Sequence, residues 1–267
     1  MSGSVLVEER RPGGTVVLTL NRPEVRNAID DALLDALLVA VRSLASDEVG
    51  SDARIPARVL VLRGAGLTAF SAGMDLRERA AFSDEQLADQ HRRIVALMTG
   101  LTELPIPTIA AVEGFCLAGG FELALACDLI VAARDAVFGL PETRVGIFPG
   151  GGAARLLAWS LGAARARDLI LTGRRLSGGE AKEWGIVARV TEPAGAFTGG
   201  LALAGELAAA APLGLREAKH AIRAAHSSLR DGQAAEDAMY DVVARSADRR
   251  EGFRAFVEKR PPRFEGR

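Results

Sequence analysis

The stretch Gly114-Phe115-Cys116-Leu117-Ala118-Gly119-Gly120-Phe121-Glu122 carries the chain from a predicted strand into a predicted helix. The amides near Gly119 therefore lie at a helix N-terminus, where unpaired N–H groups and the helix dipole favour an anion. Glycine at this point lets a ligand approach the backbone closely. Glu122, three residues further on, has two interpretations: a reactive carboxylate, or the acid of a capping box that completes the helix N-terminus.

Two further glycine-rich loops flank this one in the sequence. An apolar strand at Arg58–Leu62 leads into a loop from Gly64 to Asp75, and a short strand at Val137–Phe138 leads into a loop from Leu140 to Gly152. Alternating strands and helices predict an α/β protein with parallel strands and helical crossovers. In such folds ligands bind where strands end in loops, so we expect the functional site at these three loops.

The alternation ends near residue 193, which predicts two regions. Residues 1–193 are expected to form the strand-containing core, and residues 194–267 a helical C-terminal region. Beyond Leu161 the apolar spacing is almost purely helical. Helices are predicted there at Ala163–Leu171, Gly178–Trp184, Phe197–Ala211 and Leu213–Ala225.

Glu142 is the candidate acid of the third loop. It stands between Pro141 and Thr143, with Leu140 and Val145 as apolar neighbours. A carboxyl group among apolar side chains has a raised pKa and can serve as a proton donor. The alternative is an ordinary exposed loop glutamate. Two carboxylates beside an anion-binding turn form a constellation suited to proton transfer next to a carbonyl group.

The segment Gly64-Ala65-Gly66-Leu67-Thr68-Ala69 matches the GxGxxA pattern of dinucleotide-binding proteins. That site would need the turn to open a helix, with an acidic residue about 20 positions further on at a second strand. Here another turn-forming stretch, Phe70–Gly73, follows at once. We therefore interpret Gly64 and Gly66 as parts of a plain surface turn and predict no nicotinamide cofactor.

Composition excludes several classes of protein. The 267 residues are 49% apolar and 25% charged, which excludes wholesale disorder, and 33 basic against 34 acidic residues give a net charge of −1. No net field favours nucleic acid or an anionic membrane. Three histidines and two isolated cysteines form no metal-ligand spacing, so no metal is expected. Without a visible secretory signal or an apolar run long enough to span a membrane, we expect a soluble cytoplasmic protein.

The three loops together resemble the enoyl-CoA hydratase/isomerase (crotonase) superfamily. Residues 69–76, AFSAGMDL, are similar to its AFxAGxDL stretch, and GGFEL at 119–123 with ACD at 126–128 is similar to GGGxEL…xCD. FGLPE at 138–142, Gly146 and PGGG at 149–152 resemble FxxPExxxGxxPGxG. NRP at 21–23, NA at 27–28 and FVEKR at 256–260 also fit, so the resemblance spans nearly the whole chain.

This resemblance implies a fold and an assembly. The fold is a crotonase-like spiral of repeated ββα units with a helical C-terminal region that mediates homotrimers, often paired into homohexamers. The ligand is an acyl-CoA thioester bound in a hooked shape, and no cofactor is needed because coenzyme A is part of the substrate. The implied metabolism is that of fatty acids and other acyl-CoA compounds.

The resemblance also implies residue roles. The backbone amides of Met74 and Gly119 would form an oxyanion hole for the thioester oxygen. Glu122 and Glu142, 20 residues apart as in the hydratases, would hold the water that adds to Cβ. Glu122 would act as base, kept ionised by its helix N-terminus, and Glu142 would deliver the proton to Cα. The positions implied for acyl-CoA binding are Arg26, Ala28, Ala72, Gly73, Asp75, Leu76, Gly120, Pro141, Phe256 and Lys259.

The expected activity is the hydration of a trans-2-enoyl-CoA, and other reactions stay open. The superfamily also contains Δ3-Δ2 enoyl-CoA isomerases, hydrolases and other lyases, since one fold supports several reactions. Leu140 stands where many short-chain hydratases have Gln, and Ala153 where a Thr is frequent, so the acyl pocket is reshaped. From a different class, the chain could be a non-catalytic acyl-CoA-binding subunit. An unused buried carboxylate only destabilises a protein, so the retention of both glutamates argues against that alternative.

Overall fold

The computed structural model describes residues 4–46, 57–224, 246–248, 251, 255, 258 and 260–267. The strands are β1 (Leu6–Arg10), β2 (Thr15–Leu20), β3 (Val59–Gly64), β4 (Ala69–Ser71), β5 (Thr108–Val112), β6 (Phe115–Leu117), β7 (Leu129–Ala133), β8 (Val137–Gly139), β9 (Arg175–Ser177) and β10 (Arg189–Thr191). The helices are α1 (Asp31–Ser46), α2 (Leu76–Arg79), α3 (Asp84–Glu103), α4 (Gly119–Leu125), α5 (Ala153–Leu161), α6 (Ala163–Thr172), α7 (Gly178–Glu183), α8 (Ala196–Ala208) and α9 (Pro212–Ala224).

The strands form two sheets. The larger has the order β1-β2-β3-β5-β7-β10, and all its pairs except β1 with β2 are parallel. The smaller has the order β4-β6-β8-β9, with β4, β6 and β8 parallel and β9 antiparallel. Each of β3, β5 and β7 is followed by one short strand of the smaller sheet and then by helix. This repeat is the ββα spiral that the sequence predicts, and the fold class is confirmed.

The central strands β2, β3, β5 and β7 of the larger sheet are buried on both faces, as in other parallel sheets. On one face, leucines of α1 and α3 pack against side chains such as Leu60 and Leu62. On the other face, Leu203 and Ala204 of α8 pack against Val61 and its neighbours. Helix α8 of the predicted C-terminal region thus covers the sheet of the predicted core. The division between residues 1–193 and 194–267 stays a prediction.

Helix starts follow the polar residues that precede them. Asp30 Oδ1 accepts a hydrogen bond from Leu33 N at 2.9 Å, as the predicted cap of α1 requires. At α3, Ser83 and Gln86 form a capping box.

Among the described residues no single helix has the length and apolar content needed to cross a membrane. The bent pair α8 and α9 passes that test together, by length and composition only.

Four short strands were not anticipated by the periodicity of the sequence. The prediction of purely helical structure beyond Leu161 is wrong at β9 and β10, and β4 and β6 lie inside segments predicted as loops. Each has three residues, and β9 and β10 lie at sheet edges. Three residues are too few to show an alternation of apolar and polar side chains, so pairing with neighbouring strands rather than pattern determines these strands.

Gly64 is not part of a surface turn, which corrects the second interpretation of that segment. It is the buried last residue of β3, and a Cβ placed on it would lie 2.4 Å from the carbonyl oxygen of Ala69 and 2.5 Å from that of Phe70. Only Gly66 to Thr68 are exposed. Gly64 is therefore needed because the chain of β4 passes directly over it.

Asn27 joins the N-terminal loop to the start of β4. Its side chain is completely buried, its φ is 52°, and its Nδ2 donates to the carbonyl oxygens of Ala69 at 2.8 Å and Ala65 at 3.1 Å. Its Oδ1 accepts from Arg22 N at 3.0 Å. Ser71 Oγ in turn donates to the Asn27 carbonyl oxygen at 2.8 Å. Asn tolerates left-handed backbone better than most residues, so both its side chain and its backbone suit this position.

We expect Asn27→Ala to lower the free energy of unfolding by about 2–4 kcal/mol, because it leaves buried donors and acceptors without partners. Urea denaturation of both proteins measures this difference. Asn21→Ala is the matched control, since Asn21 donates a single exposed side-chain bond, to Ser4 O. A loss at Asn27 no larger than that at Asn21 would contradict the structural role given to this side chain.

Candidate active site

The three glycine-rich loops meet at one cavity of about 550 Å³. Both candidate carboxylates and both candidate amide donors border it. Its lining residues are Met74, Leu76, Arg79, His91, Ile94, Ala118, Gly119, Glu122, Pro141, Glu142, Arg144, Val145, Gly146, Ile147, Phe148, Gly150 and Gly151. The three loops that the sequence singles out therefore lie together, and the roles of their residues stay predictions.

The amide of Met74 faces the cavity because of how its neighbours are paired. Ile29 N donates to Gly73 O at 2.8 Å, and Asp75 N donates to Ile29 O at 2.9 Å. Along an extended chain successive N–H groups alternate in direction, so the Met74 N–H points away from Ile29. No side chain is needed for this, and Met74 contributes a backbone donor.

The amide of Gly119 lies at the start of α4. Phe121 N and Glu122 N both donate to Ala118 O, so the N–H of Gly119 precedes the first hydrogen bonds of the helix. A Cβ placed on Gly119 would be 3.6 Å from Met74 N. The two residues that carry the candidate amide donors are therefore in contact beside the cavity.

Gly73 and Gly120 allow these loops to touch. A Cβ on Gly73, whose φ is +93°, would lie 2.8 Å from the Ala118 Cβ and 3.0 Å from Gly119 N. A Cβ on Gly120 would lie 2.5 Å from Ser71 O. These glycines shape the site through backbone contact and do not themselves line the cavity.

Glu122 lies on α4, but its side chain accepts hydrogen bonds from the backbone at the start of α5. Its side chain is 5% exposed, and its Oε1 accepts from Gly151 N at 2.8 Å and from Ala153 N at 3.2 Å. These amides belong to the N-terminus of α5. The N-cap amide of α4, that of Ala118, donates to Gly139 O instead. The capping-box alternative is therefore wrong.

Burial raises the pKa of Glu122, and hydrogen bonds from the backbone of Ala153, Gly151 and Gly152 oppose that rise. This corrects the expected cause of its ionisation: the stabilising helix N-terminus is that of α5, not of α4. A carboxylate at such an N-terminus is favoured by both the free N–H groups and the dipole.

Glu142 opens a short 3-10 helix, Glu142–Val145, and is 6% exposed. The alternative of an exposed loop glutamate is therefore wrong. Burial, with a smaller contribution from the charge of Glu122, raises the pKa of Glu142 to about 7. Its Oε2 is buried and has no hydrogen-bond partner among the described residues. This carboxyl group is the more easily protonated of the two.

Several predicted binding residues lie beside the cavity rather than in its wall. Leu76 and Pro141 line it, whereas Arg26, Ala28, Ala72 and Asp75 do not.

The residues outside the cavity wall make structural contacts instead. Asp75 caps α2 by accepting a hydrogen bond from Arg77 N, and it forms an ion pair with Arg22 at 3.3 Å. The Arg26 guanidinium lies over the Phe115 ring, 5.4 Å from its centroid. Ala72 N donates to Arg26 O, and Ala28 O accepts from Arg22 Nη1. Phe256 and Lys259 lie outside the described residues.

Sequence reasoning missed several residues of the cavity wall. Arg79 and Arg144 border it, as do His91 and Ile94 of α3 and the apolar run from Val145 to Phe148. The i, i+3 spacing of His91 and Ile94 places both on one helix face, a usable signal once that face is known. In the described part of the chain no three His, Cys, Asp or Glu side chains come together as metal ligands.

The chain belongs to the enoyl-CoA hydratase/isomerase family, whose model matches residues 10–267. It is 42% identical over 259 residues to mouse enoyl-CoA hydratase domain-containing protein 2, mitochondrial, covering 95% of this chain and 85% of that protein. It is 40% identical over 266 residues to rat mitochondrial methylglutaconyl-CoA hydratase, covering 98% and 82%. The crystal structure of enoyl-CoA hydratase from Bacillus anthracis superposes with a TM-score of 0.93 at 37% identity, covering 98% of this chain and all (100%) of that one.

These similarities confirm the resemblance stated from the sequence. Both mammalian relatives carry the word mitochondrial in their names. The cytoplasmic location expected for this chain stays a prediction.

The raised pKa of Glu142 predicts a pH-dependent stability. The folded state binds this proton more tightly than the unfolded state, so stability is lost as pH rises from about 4.5 to about 7. The Glu142→Gln variant has no carboxyl group to ionise at this position, so it does not lose stability in this way. Its free energy of unfolding relative to the wild type should rise by on the order of 2 kcal/mol between pH 5 and pH 8.

Urea denaturation at the two pH values measures this difference. Glu183→Gln, at an exposed position of α7, is the control and should run parallel to the wild type. A Glu142→Gln difference that does not change with pH would mean that Glu142 is ordinarily ionised in the folded protein.

Proposed function

We propose that this chain is an enoyl-CoA hydratase, which adds water across the 2,3 double bond of a trans-2-enoyl-CoA thioester. The observation that carries the proposal is the shared cavity: two buried carboxyl groups, Glu122 and Glu142, face the same space as the amides of Met74 and Gly119. Hydration needs a base, an acid and donors for an oxyanion, and these four groups supply them.

The two amides bind the thioester oxygen. As water adds to Cβ, the electrons of the double bond move toward the carbonyl and negative charge develops on this oxygen. Preorganised N–H donors stabilise that enolate more strongly than the neutral thioester. Each donor is worth about 3–4 kcal/mol in the transition state.

The two glutamates divide the proton transfers. Glu122, whose Oε1 accepts two backbone hydrogen bonds, is the carboxylate that removes a proton from the attacking water. Glu142, with a pKa of about 7, keeps a protonated fraction near neutral pH and gives that proton to Cα as the enolate collapses. The product is a 3-hydroxyacyl-CoA. The enzyme returns to its starting protonation state when one proton passes from Glu122 to Glu142 through solvent.

The remaining predicted residues are proposed to bind the rest of the substrate. Leu76 and Pro141 contact the acyl-thioester portion. Two segments flank the coenzyme A chain: the one before α1, with Arg26 and Ala28, and the one after β4, with Ala72 and Asp75. Gly73 and Gly120 act by keeping the two amides close. Phe256 and Lys259 are proposed to reach the adenine or phosphates of coenzyme A, commonly from a neighbouring subunit.

We expect Glu122→Gln and Glu142→Gln each to lower kcat for crotonyl-CoA by about 10²–10⁴-fold, the contribution of a positioned acid or base. Loss of the ultraviolet band of the conjugated enoyl group measures hydration, in buffer pretreated with a chelator and without nucleotide. Binding of the substrate should stay within several-fold, because the amide donors are backbone groups. The double variant should be little worse than the poorer single one.

Each other reaction gives a different result. A Δ3-Δ2 isomerase would lose double-bond migration with one substitution and keep it nearly intact with the other. A hydrolase would release free coenzyme A, and a non-catalytic acyl-CoA-binding subunit would bind crotonyl-CoA without changing its absorbance. Wild-type hydration by Glu122→Gln would contradict the proposed mechanism, and so would a dependence on metal or nicotinamide.

We infer that the chain forms a homotrimer or a pair of homotrimers. Large apolar side chains are exposed on the single chain, among them Leu171 at 69% and Ile222 at 63%. Exposed apolar surface of this kind is typical of contacts between proteins. Light scattering at micromolar concentration should give three or six times the mass of 28.1 kDa. A stable monomer would contradict both the assembly and a shared role for Phe256 and Lys259.

A further inference from the structure

The backbone that presents the Met74 amide is held by a single short pairing. Ile29 and Met74 form an isolated parallel β-bridge outside the named strands. Two hydrogen bonds make this bridge, from Ile29 N to Gly73 O and from Asp75 N to Ile29 O. It has no further pairs of a ladder on either side to keep it in register. The direction of the Met74 N–H therefore depends on what fixes the residues next to the bridge.

The guanidinium of Arg22 contacts both segments of this bridge. Its Nη1 donates to the carbonyl oxygen of Ala28 at 2.7 Å, immediately before Ile29. The same Nη1 donates to Oδ2 of Asp75 at 3.3 Å, immediately after Met74. One planar group thus joins the two segments across the bridge. It fixes their spacing, because the N–H groups of a guanidinium keep a rigid geometry relative to one another.

Arg22 is itself held in place and largely shielded from solvent. Its side chain is 17% exposed and that of Asp75 15%, and Arg22 Nη2 forms a further ion pair with Asp30 Oδ2 at 3.1 Å. Its backbone is paired with Asn27: Arg22 N donates to Asn27 Oδ1, and Asn27 N donates to Arg22 O at 2.8 Å. Charge-assisted hydrogen bonds between groups of this burial are stronger and less screened than those on the surface.

We propose that Arg22 is a positioning residue for the oxyanion hole and acts on the reaction through the backbone of Met74. This inference rests on the proposed hydratase function, in which the Met74 N–H donates to the thioester oxygen. Arg22 does not line the cavity, so its effect passes through Ala28 and Asp75. A donor that is displaced by about 1 Å loses much of its stabilisation of the developing charge.

The chromophoric thioester 4-(dimethylamino)cinnamoyl-CoA tests the position of the donor without turnover. Its amino group is conjugated with the thioester carbonyl, so hydrogen bonds to the carbonyl oxygen move its absorption to longer wavelength. We expect the wild type to give this red shift on binding and Arg22→Met to give a much smaller one, from the Gly119 amide alone. Arg22→Met should also lower kcat for crotonyl-CoA by about 10- to 100-fold, with KM within several-fold of the wild-type value.

Arg22→Lys is the second variant, and it decides the question if Arg22→Met does not fold. A lysine keeps the positive charge between Asp30 and Asp75 but lacks the planar fork that also reaches Ala28 O. It should give a red shift between those of the wild type and Arg22→Met. A full wild-type red shift in the folded Arg22 variants would overturn the proposal and leave the oxyanion hole intact.

Lys219→Met is the matched control for loss of stability. Lys219 is also a buried cation that binds a carboxylate and a carbonyl oxygen, those of Asp128 at 2.8 Å and Ile106 at 3.1 Å, and it does not line the cavity. This variant should unfold at lower urea concentration than the wild type and keep the wild-type red shift and kcat. Equal losses of the red shift in Lys219→Met and Arg22→Met would overturn the proposal, since general destabilisation would explain both.

The red shift also separates this proposal from the proposed function. If the wild type binds the probe with a red shift but hydrates no enoyl-CoA, the hydratase function fails, and the Arg22 variants still decide whether Arg22 positions the donor. If the wild type binds the probe without a red shift, the oxyanion hole fails, and the proposal for Arg22 is overturned with it.

Discussion

The candidate site depends on a contact between two stretches of backbone with no side chain between them. Gly73 lies against Ala118 and Gly119, and Gly120 lies against Ser71 O, at distances that any Cβ would violate. In the proposed function, this contact lets the amides of Met74 and Gly119 donate to one oxygen atom. A methyl group at either glycine would push the loops apart by about 1 Å, the difference between these distances and ordinary van der Waals contact. The donors would then be present but would no longer converge on the same point.

The order of the strands makes this contact possible. Strands β4, β6 and β8 are parallel neighbours, so their carboxyl ends meet at one edge of the smaller sheet. Met74 follows the end of β4 by three residues, Gly119 follows β6 by two, and Glu142 follows β8 by three. Because the three strands are aligned and each residue follows its strand at a similar distance, two amide donors (Met74 and Gly119) and one acid (Glu142) come to the same cavity. Glu122 reaches the same cavity from the first turn of α4.

The sequence predicts the location of this site better than its internal contacts. A short stretch of sequence is enough to show a glycine-rich loop that follows a strand and the acidic residues within that loop. It does not show the partners of Glu122, because the amides of Gly151 and Ala153 are about 30 residues away and reach it only through tertiary packing. Arg79 and His91 carry no local signal, since nothing in α2 or α3 alone shows which side faces the cavity. The three-residue strands β4, β6, β9 and β10 are fixed by pairing with neighbours and are too short to show a period in the sequence.

Two carboxyl groups that share a cavity titrate as a pair, and their surroundings decide which one ionises first. Glu122 accepts hydrogen bonds from the N-terminus of α5, whereas Glu142 Oε2 is buried and has no partner in the described part of the chain, so the first proton leaves Glu122. The resulting charge on Glu122 then raises the pKa of Glu142.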